Sequence, residues 1–134
     1  MSEVIYETFI PFNVSSSKNS KELVWAKRGT EKVPIFTDSK TTKNYKNKTM
    51  DYYISGAKKF REIYDSLPKP IKLGFKFIRD SRRQFDYINP AQTVQDIMVR
   101  SGWIEDDNAN CIIPFFLEYE YDKEKPGVVI SIIK

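Results

Sequence analysis

The chain has 134 residues, 40% hydrophobic and 30% charged, with a net charge of +4, a balance that fits one globular domain over residues 1–134. It has one cysteine, Cys111, and no histidine, which excludes a disulfide scaffold, a Cys/His zinc site and any mechanism built on a histidine base. No apolar run reaches the roughly 18 residues of a membrane span, and the N-terminus lacks a basic-then-apolar secretion signal, so a cytoplasmic chain with no membrane partner is expected.

The net charge hides a polarity along the chain. Between Lys18 and Arg83 there are 18 Lys and Arg against 7 Asp and Glu, a net +11; from Gln84 onward 4 stand against 9, a net −5. A basic first half suits a polyanionic partner, and it equally suits lysine used for solubility.

Val4 to Phe12 alternates loosely and stops at Pro11, which predicts a strand and a turn. Asn13 to Lys21 is rich in Ser, Asn and Lys and reads as a mobile loop. Trp25 with Lys27 and Arg28 falls in a similar stretch, placed either to stack on a splayed base or to cover the core. Val33 to Phe36 predicts a short strand, held to an edge or bulge by Pro34. From about Ser39 the pattern turns helical. Met50, Tyr53, Ala57, Phe60, Tyr64 and Leu67 share one face, with Lys46, Lys48, Lys58, Lys59 and Arg61 mostly off it, until Pro68 and Pro70 end the helix.

Ile71, Leu73, Phe75 and Phe77 then alternate with Lys72, Gly74 and Lys76, predicting a strand with a basic exposed side. Asn89-Pro90 reads as the N-cap and first residue of a second helix, with Val94, Ile97 and Met98 as its apolar stripe and Gly102 as its stop. Glu105 to Asn110 is an acidic loop. Phe115 to Tyr121 and Val128 to Ile133 read most simply as a closing hairpin. The order β(β)αβαββ predicts an α+β domain with a mixed or antiparallel sheet and two helices.

The chemistry concentrates between Arg82 and Asn110. Asp86 precedes the second helix, and Asp106 and Asp107 follow it. If the chain folds back along the helix, these carboxylates and the Asn89 amide make an oxygen-rich site suited to Mg²⁺. The basic set Lys72, Lys76, Arg79, Arg82 and Arg83 leads directly into Asp86. It reads either as a phosphate track or as a solvated strand face.

Asp86-Tyr87-Ile88-Asn89, followed by Gln92 and by Gly102-Trp103-Ile104-Glu105-Asp106-Asp107, resembles the core signature of the RusA-type Holliday junction resolvases. These are small dimeric phage and prophage endonucleases. The weaker likeness of the N-terminal Pro11-Phe12-Asn13, the basic helix and the closing strands extends it over nearly the whole chain. The resemblance implies a structure-specific endodeoxyribonuclease of DNA recombination and repair, dependent on Mg²⁺ or Mn²⁺ and working as a homodimer on branched or duplex DNA. It implies Asp86, Asn89 and Asp107 as catalytic residues, with Asp86, Asp107 and Asp106 as metal ligands. Two positions depart from the family pattern: Ile88 stands where it has a second Asp, and Gln92 where it has a lysine. Two further readings therefore stand beside the nuclease, a branched-DNA-binding module with impaired catalysis and a protein-interaction domain that keeps only the scaffold.

Overall fold

Strand β4 (Ile71–Arg79) organises the molecule. Ile71, Leu73, Phe75 and Phe77 are all buried, as their two-residue spacing predicts. In the computed structural model, which describes residues 3–15 and 21–134, β4 lies inside a five-stranded mixed sheet. On one side β7 (Gly127–Ile133) pairs with it antiparallel, and β1 (Val4–Pro11) pairs antiparallel with β7. On the other side β5 (Ile112–Phe116) and the short β6 (Glu120–Tyr121) both run parallel to β4. Residues 16–20, part of the expected Ser/Asn/Lys loop, lie outside the described residues.

Two helices pack on the sheet. Helix α1 (Lys40–Ser66) begins at Ser39, whose hydroxyl accepts the Thr42 N–H at 3.3 Å, and it turns Tyr53, Phe60 and Tyr64 fully inward. Helix α2 (Ile88–Arg100) buries Val94, Ile97 and Met98. These side chains join Leu73, Phe75, Val128, Ile130 and Ile132 of the sheet in one apolar cluster. The fold is α+β, a small single domain with two helices and a mixed sheet, as expected. No described helix is long and apolar enough to cross a membrane.

The closing hairpin does not form. β7 leaves the neighbourhood of β5 and fills the place between β1 and β4, because its Val128, Ile130 and Ile132 are buried and so need the middle of a sheet rather than an edge. The strand expected over Phe115 to Tyr121 is also divided. Phe75 pairs with Phe116 and Ile78 with Glu120, so three steps along β4 face four along its neighbour, a bulge of one residue.

Two other expectations change. The stretch around Trp25 is a strand, β2 (Lys21–Arg28), which pairs antiparallel with β3 (Glu31–Asp38) as a separate two-stranded ribbon. Pro34 is tolerated there because a two-stranded ribbon is all edge. Lys46, expected off the buried stripe, is itself buried and pairs with Asp38 at 2.5 Å, which ties the ribbon's base to α1.

The second helix starts two residues earlier than the Asn89 cap predicts. Tyr87 is the N-cap, with no side-chain capping bond and helical φ and ψ of −57° and −33°. Its carbonyl accepts the Ala91 N–H at 3.1 Å. Asn89 and Pro90 thus lie inside the first turn, where a missing proline N–H costs no helical bond. The C-terminal stop is where Gly102 places it. With φ of +83°, Gly102 donates its N–H to Val99 O at 3.3 Å, and Trp103 donates to Met98 O at 2.9 Å. This pair of bonds is a Schellman turn. It sends Trp103, fully buried, onto α1.

Candidate functional site

The site begins with a cluster of aromatic rings at the C-terminal end of β4. Tyr87 packs near Phe77, Phe85 and Phe116, with ring centroids 6.4, 5.2 and 5.5 Å away. Phe85 meets Tyr119 edge to face at 5.1 Å. The Tyr119 N–H donates to the Tyr87 hydroxyl at 3.1 Å, so the segment after β5 is latched to the start of α2. Offset and edge-on rings at these spacings hold one another's orientation. They fix the backbone on both sides of Asp86.

Above this cluster lies a cleft of about 560 Å³ lined by Arg82, Arg83, Asp86 and Asn89, with Phe85 and Tyr119 as its walls. Asp86 is exposed and Asn89 half-buried. The cleft therefore offers one carboxylate, the side-chain amides of Asn89 and Gln84, and two guanidinium groups over an aromatic wall. Arg82 lies over the Tyr121 ring at 4.5 Å, a cation–π contact that steadies a charge otherwise free in water.

Of the five basic residues predicted to hold DNA, only Arg82 and Arg83 line this cleft. Lys72 is exposed at the opposite end of β4, beside a groove formed with Glu3, Ile5 and Leu67. At about 3.3 Å per residue it stands roughly 23 Å along the strand from Arg79. Lys76 is half-buried and paired with Glu120 at 2.5 Å, so its charge is already matched. Arg79 is only 5% exposed and stacks on Phe85 at 4.1 Å. Its Nε and Nη1 have no hydrogen-bond partner among the described residues. Burial lowers its pKa from the ordinary arginine value, with Asp80 opposing. The expected continuous basic strand face is thus corrected to a pair of arginines after the strand, because alternation turns Arg79 into the core side with Phe75 and Phe77.

The second acidic group sits across α2. Asp106 is occupied locally: its Oδ1 accepts the Asp107 N–H at 2.8 Å, and its Oδ2 accepts from Asn108 Nδ2 at 2.9 Å. The Asp107 amide bond lowers its pKa, and the Asn108 bond adds to this. Asp106 is the capping residue of its own turn, each of its oxygens already accepting one bond. Asp107 is half-buried. Its pKa is raised, first by burial and then by Asp106, with Asp96 of α2 adding a smaller repulsion.

Asp96 was not singled out by the sequence reading. It accepts from Gln92 Nε2 at 3.0 Å. The signal was present as the Gln92–Asp96 spacing of four, which puts both on one helix face.

Among the described residues no group of three or more His, Cys, Asp or Glu gathers closely enough to hold a metal ion, and Asp86, Asp106 and Asp107 are no such trio. Asp80 faces a different cleft, shared with Phe12, Asn13, Ser15 and Lys48. Ile88 is 70% exposed at the first position of α2 and lines a shallow cleft beside Asp86, Asn89 and Phe116. Mg²⁺ commonly keeps several waters and is held by one or two carboxylates together with substrate phosphates. Asp86 with its neighbouring Asn89 fits that mode as a single carboxylate, and Asp107 does not line their cleft. Comparison of the chain with protein-family models gives no match, and comparison with curated proteins gives none either.

Proposed function

We propose that this protein is a cytoplasmic, Mg²⁺-dependent endodeoxyribonuclease acting on branched DNA as a homodimer, the activity its resemblance to the RusA-type resolvases implies. One observation carries the reading. The residues that resemble the family's helix-start signature, Asp86 and Asn89, share a cleft with two exposed arginines, the combination needed to hold a phosphodiester next to a carboxylate. Arg82 and Arg83 hold and orient backbone phosphates. Asp86 and Asp107 supply the anionic oxygens, and Asn89 positions a phosphate or a water. Bound Mg²⁺ or Mn²⁺ would supply charge stabilisation of the phosphate and a more acidic water.

A two-fold dimer suits a four-way junction, which must be cut symmetrically. A second reading, junction binding without cutting, is favoured by one observation. The exposed first residue of α2 is Ile88, which gives the cleft no second carboxylate. The test is cleavage of a four-way junction in Mg²⁺ and in Mn²⁺, run beside salt-dependent binding. Cleavage abolished by Asp86→Asn supports the nuclease. Salt-sensitive binding with no cleavage in either metal supports the binding module, and no binding at all removes both.

A further inference from the structure

The β2–β3 ribbon is the part of the molecule that the proposed site leaves unused. Among the described residues it pairs with no strand of the main sheet, and it turns through Gly29-Thr30, with Gly29 at φ +66°. Glycine at the first position of a two-residue hairpin loop relieves the backbone of a conformation that side chains resist. Facing residues across the ribbon share a side, so Trp25 with Pro34 and Lys27 with Lys32 lie together, and Leu23 falls on the same side.

Trp25 is 66% exposed and Leu23 54% exposed; Lys27, Lys32 and Pro34 are exposed as well. Exposing a tryptophan to this degree is unusual for a residue type that is mostly buried. The other tryptophan, Trp103, is fully buried.

We infer that this face of the ribbon is a nucleobase-stacking arm, on which Trp25 stacks an unpaired base of single-stranded or branched DNA while Lys27 and Lys32 hold the flanking phosphates. The inference rests on the proposed DNA-processing function and adds a second contact surface to it. Size and charge select the partner. An apolar strip of Leu23, Trp25 and Pro34 is far smaller than the roughly 800 Å² per partner of a stable protein interface, yet it matches one or two bases. Two lysines border the strip; the described acid on that side, Asp38 at the ribbon's base, is paired with Lys46 of α1. A second copy of the same face would therefore be repelled, whereas a phosphate backbone is attracted. Base–aromatic stacking tolerates any sequence, because every base offers a π face.

Since Trp103 is buried, a change in tryptophan emission on adding DNA reports Trp25. The experiment titrates the full chain with a four-way junction, an unstructured single strand and a blunt duplex, reading emission and affinity over a salt series. Quenching by the junction and the single strand, and much less by the duplex, is expected. Trp25→Ala is expected to weaken single-strand binding between about fivefold and 100-fold, and Trp25→Phe only a few-fold. Lys27→Gln with Lys32→Gln should lower the salt slope by up to about 0.7 per residue on single strands. Salt-sensitive junction binding with unchanged Trp25 emission, or with Trp25→Ala equal to the parent, overturns the arm and leaves the nuclease reading standing. No salt-sensitive DNA binding by the parent overturns both. Emission that shifts with protein concentration alone assigns the face to self-association and overturns the arm.

Discussion

Gly56 of α1 makes room for Trp103. A methyl group on Gly56 would come within 2.8 Å of the indole Cζ2, and the indole N–H donates to the carbonyl of neighbouring Tyr53 at 2.6 Å. The ring also lies 4.8 Å from Phe60 by centroid. The Schellman turn ending α2 is thus anchored to the long helix, and the acidic loop departs from that anchor. Gly56→Ala sets a helix-propensity gain of about 1 kcal/mol against forced displacement of a large, fully enclosed ring. The clash wins. A net loss of about 1–2 kcal/mol is expected in urea unfolding, with the Trp103 emission shifted to the red.

Ile88→Asp restores a carboxylate to the start of α2. Since Ile88 is 70% exposed, the change removes no core packing, and a negative charge in a first helical turn is stabilising by about 0.3–1 kcal/mol. Stability should hold or rise slightly. Mg²⁺-dependent junction cleavage should increase, measured against the parent over a metal titration. A fall in stability would show that Ile88 packs against something in solution.

Asp107 carries a pH signature. Burial, Asp106 and Asp96 raise its pKa, so the folded chain holds that proton more tightly than the unfolded chain. Ionisation above the folded pKa then costs stability, and the cost disappears as pH falls through it. Asp107→Asn should raise the urea midpoint at pH 7 and lose this advantage at pH values where the parent's Asp107 is protonated. The same substitution should abolish Mg²⁺-dependent cleavage while leaving DNA binding intact or tighter, because a negative charge near the phosphates is removed.

Arg79 and the pair after it should separate cleanly. Arg79→Met replaces a buried guanidinium whose Nε and Nη1 lack partners among the described residues with an apolar chain of similar length. Stability should be unchanged or higher, and the salt dependence of DNA affinity should not move. Arg82→Ala and Arg83→Ala, both at exposed cleft positions, should each lower the duplex salt slope by up to about 0.9. A slope that drops with Arg79→Met instead would place DNA on the strand itself.

Local periodicity made much of the fold legible. The stripe from Met50 to Leu67 and the alternation from Ile71 to Phe77 depend only on neighbours in sequence, and both elements are present. Gly102 was readable for the same reason, since a single residue supplies the positive φ. Long-range choices were not readable. Nothing near Val128 states that its partners are Phe77 and Ile10 rather than the strand just before it, so the simplest hairpin was expected and a central strand is observed. The site divides in the same manner. Asp86, Asn89, Arg82 and Arg83 are close in sequence and share a cleft. Lys72, Lys76 and Arg79 were grouped by sign of charge, and the fold separates them through alternation, the Glu120 partner and the length of the strand.

The one-residue bulge between Phe116 and Glu120 has a consequence of parity. Side chains along an extended edge switch sides with every residue, so a single additional residue reverses the assignment for all that follow until the pairing resumes. Leu117 donates its N–H to Phe75 O at 3.0 Å and Asp122 donates to Arg79 O at 2.9 Å, which pins both ends of the interruption to the same strand. Tyr119, between those pins, is the residue whose facing is decided by odd or even count. Removing one residue from 117–118 would leave the core strand untouched yet exchange the tyrosine now meeting Phe85 for its neighbour, and the cleft over Asp86 would lose a wall through a change in counting alone.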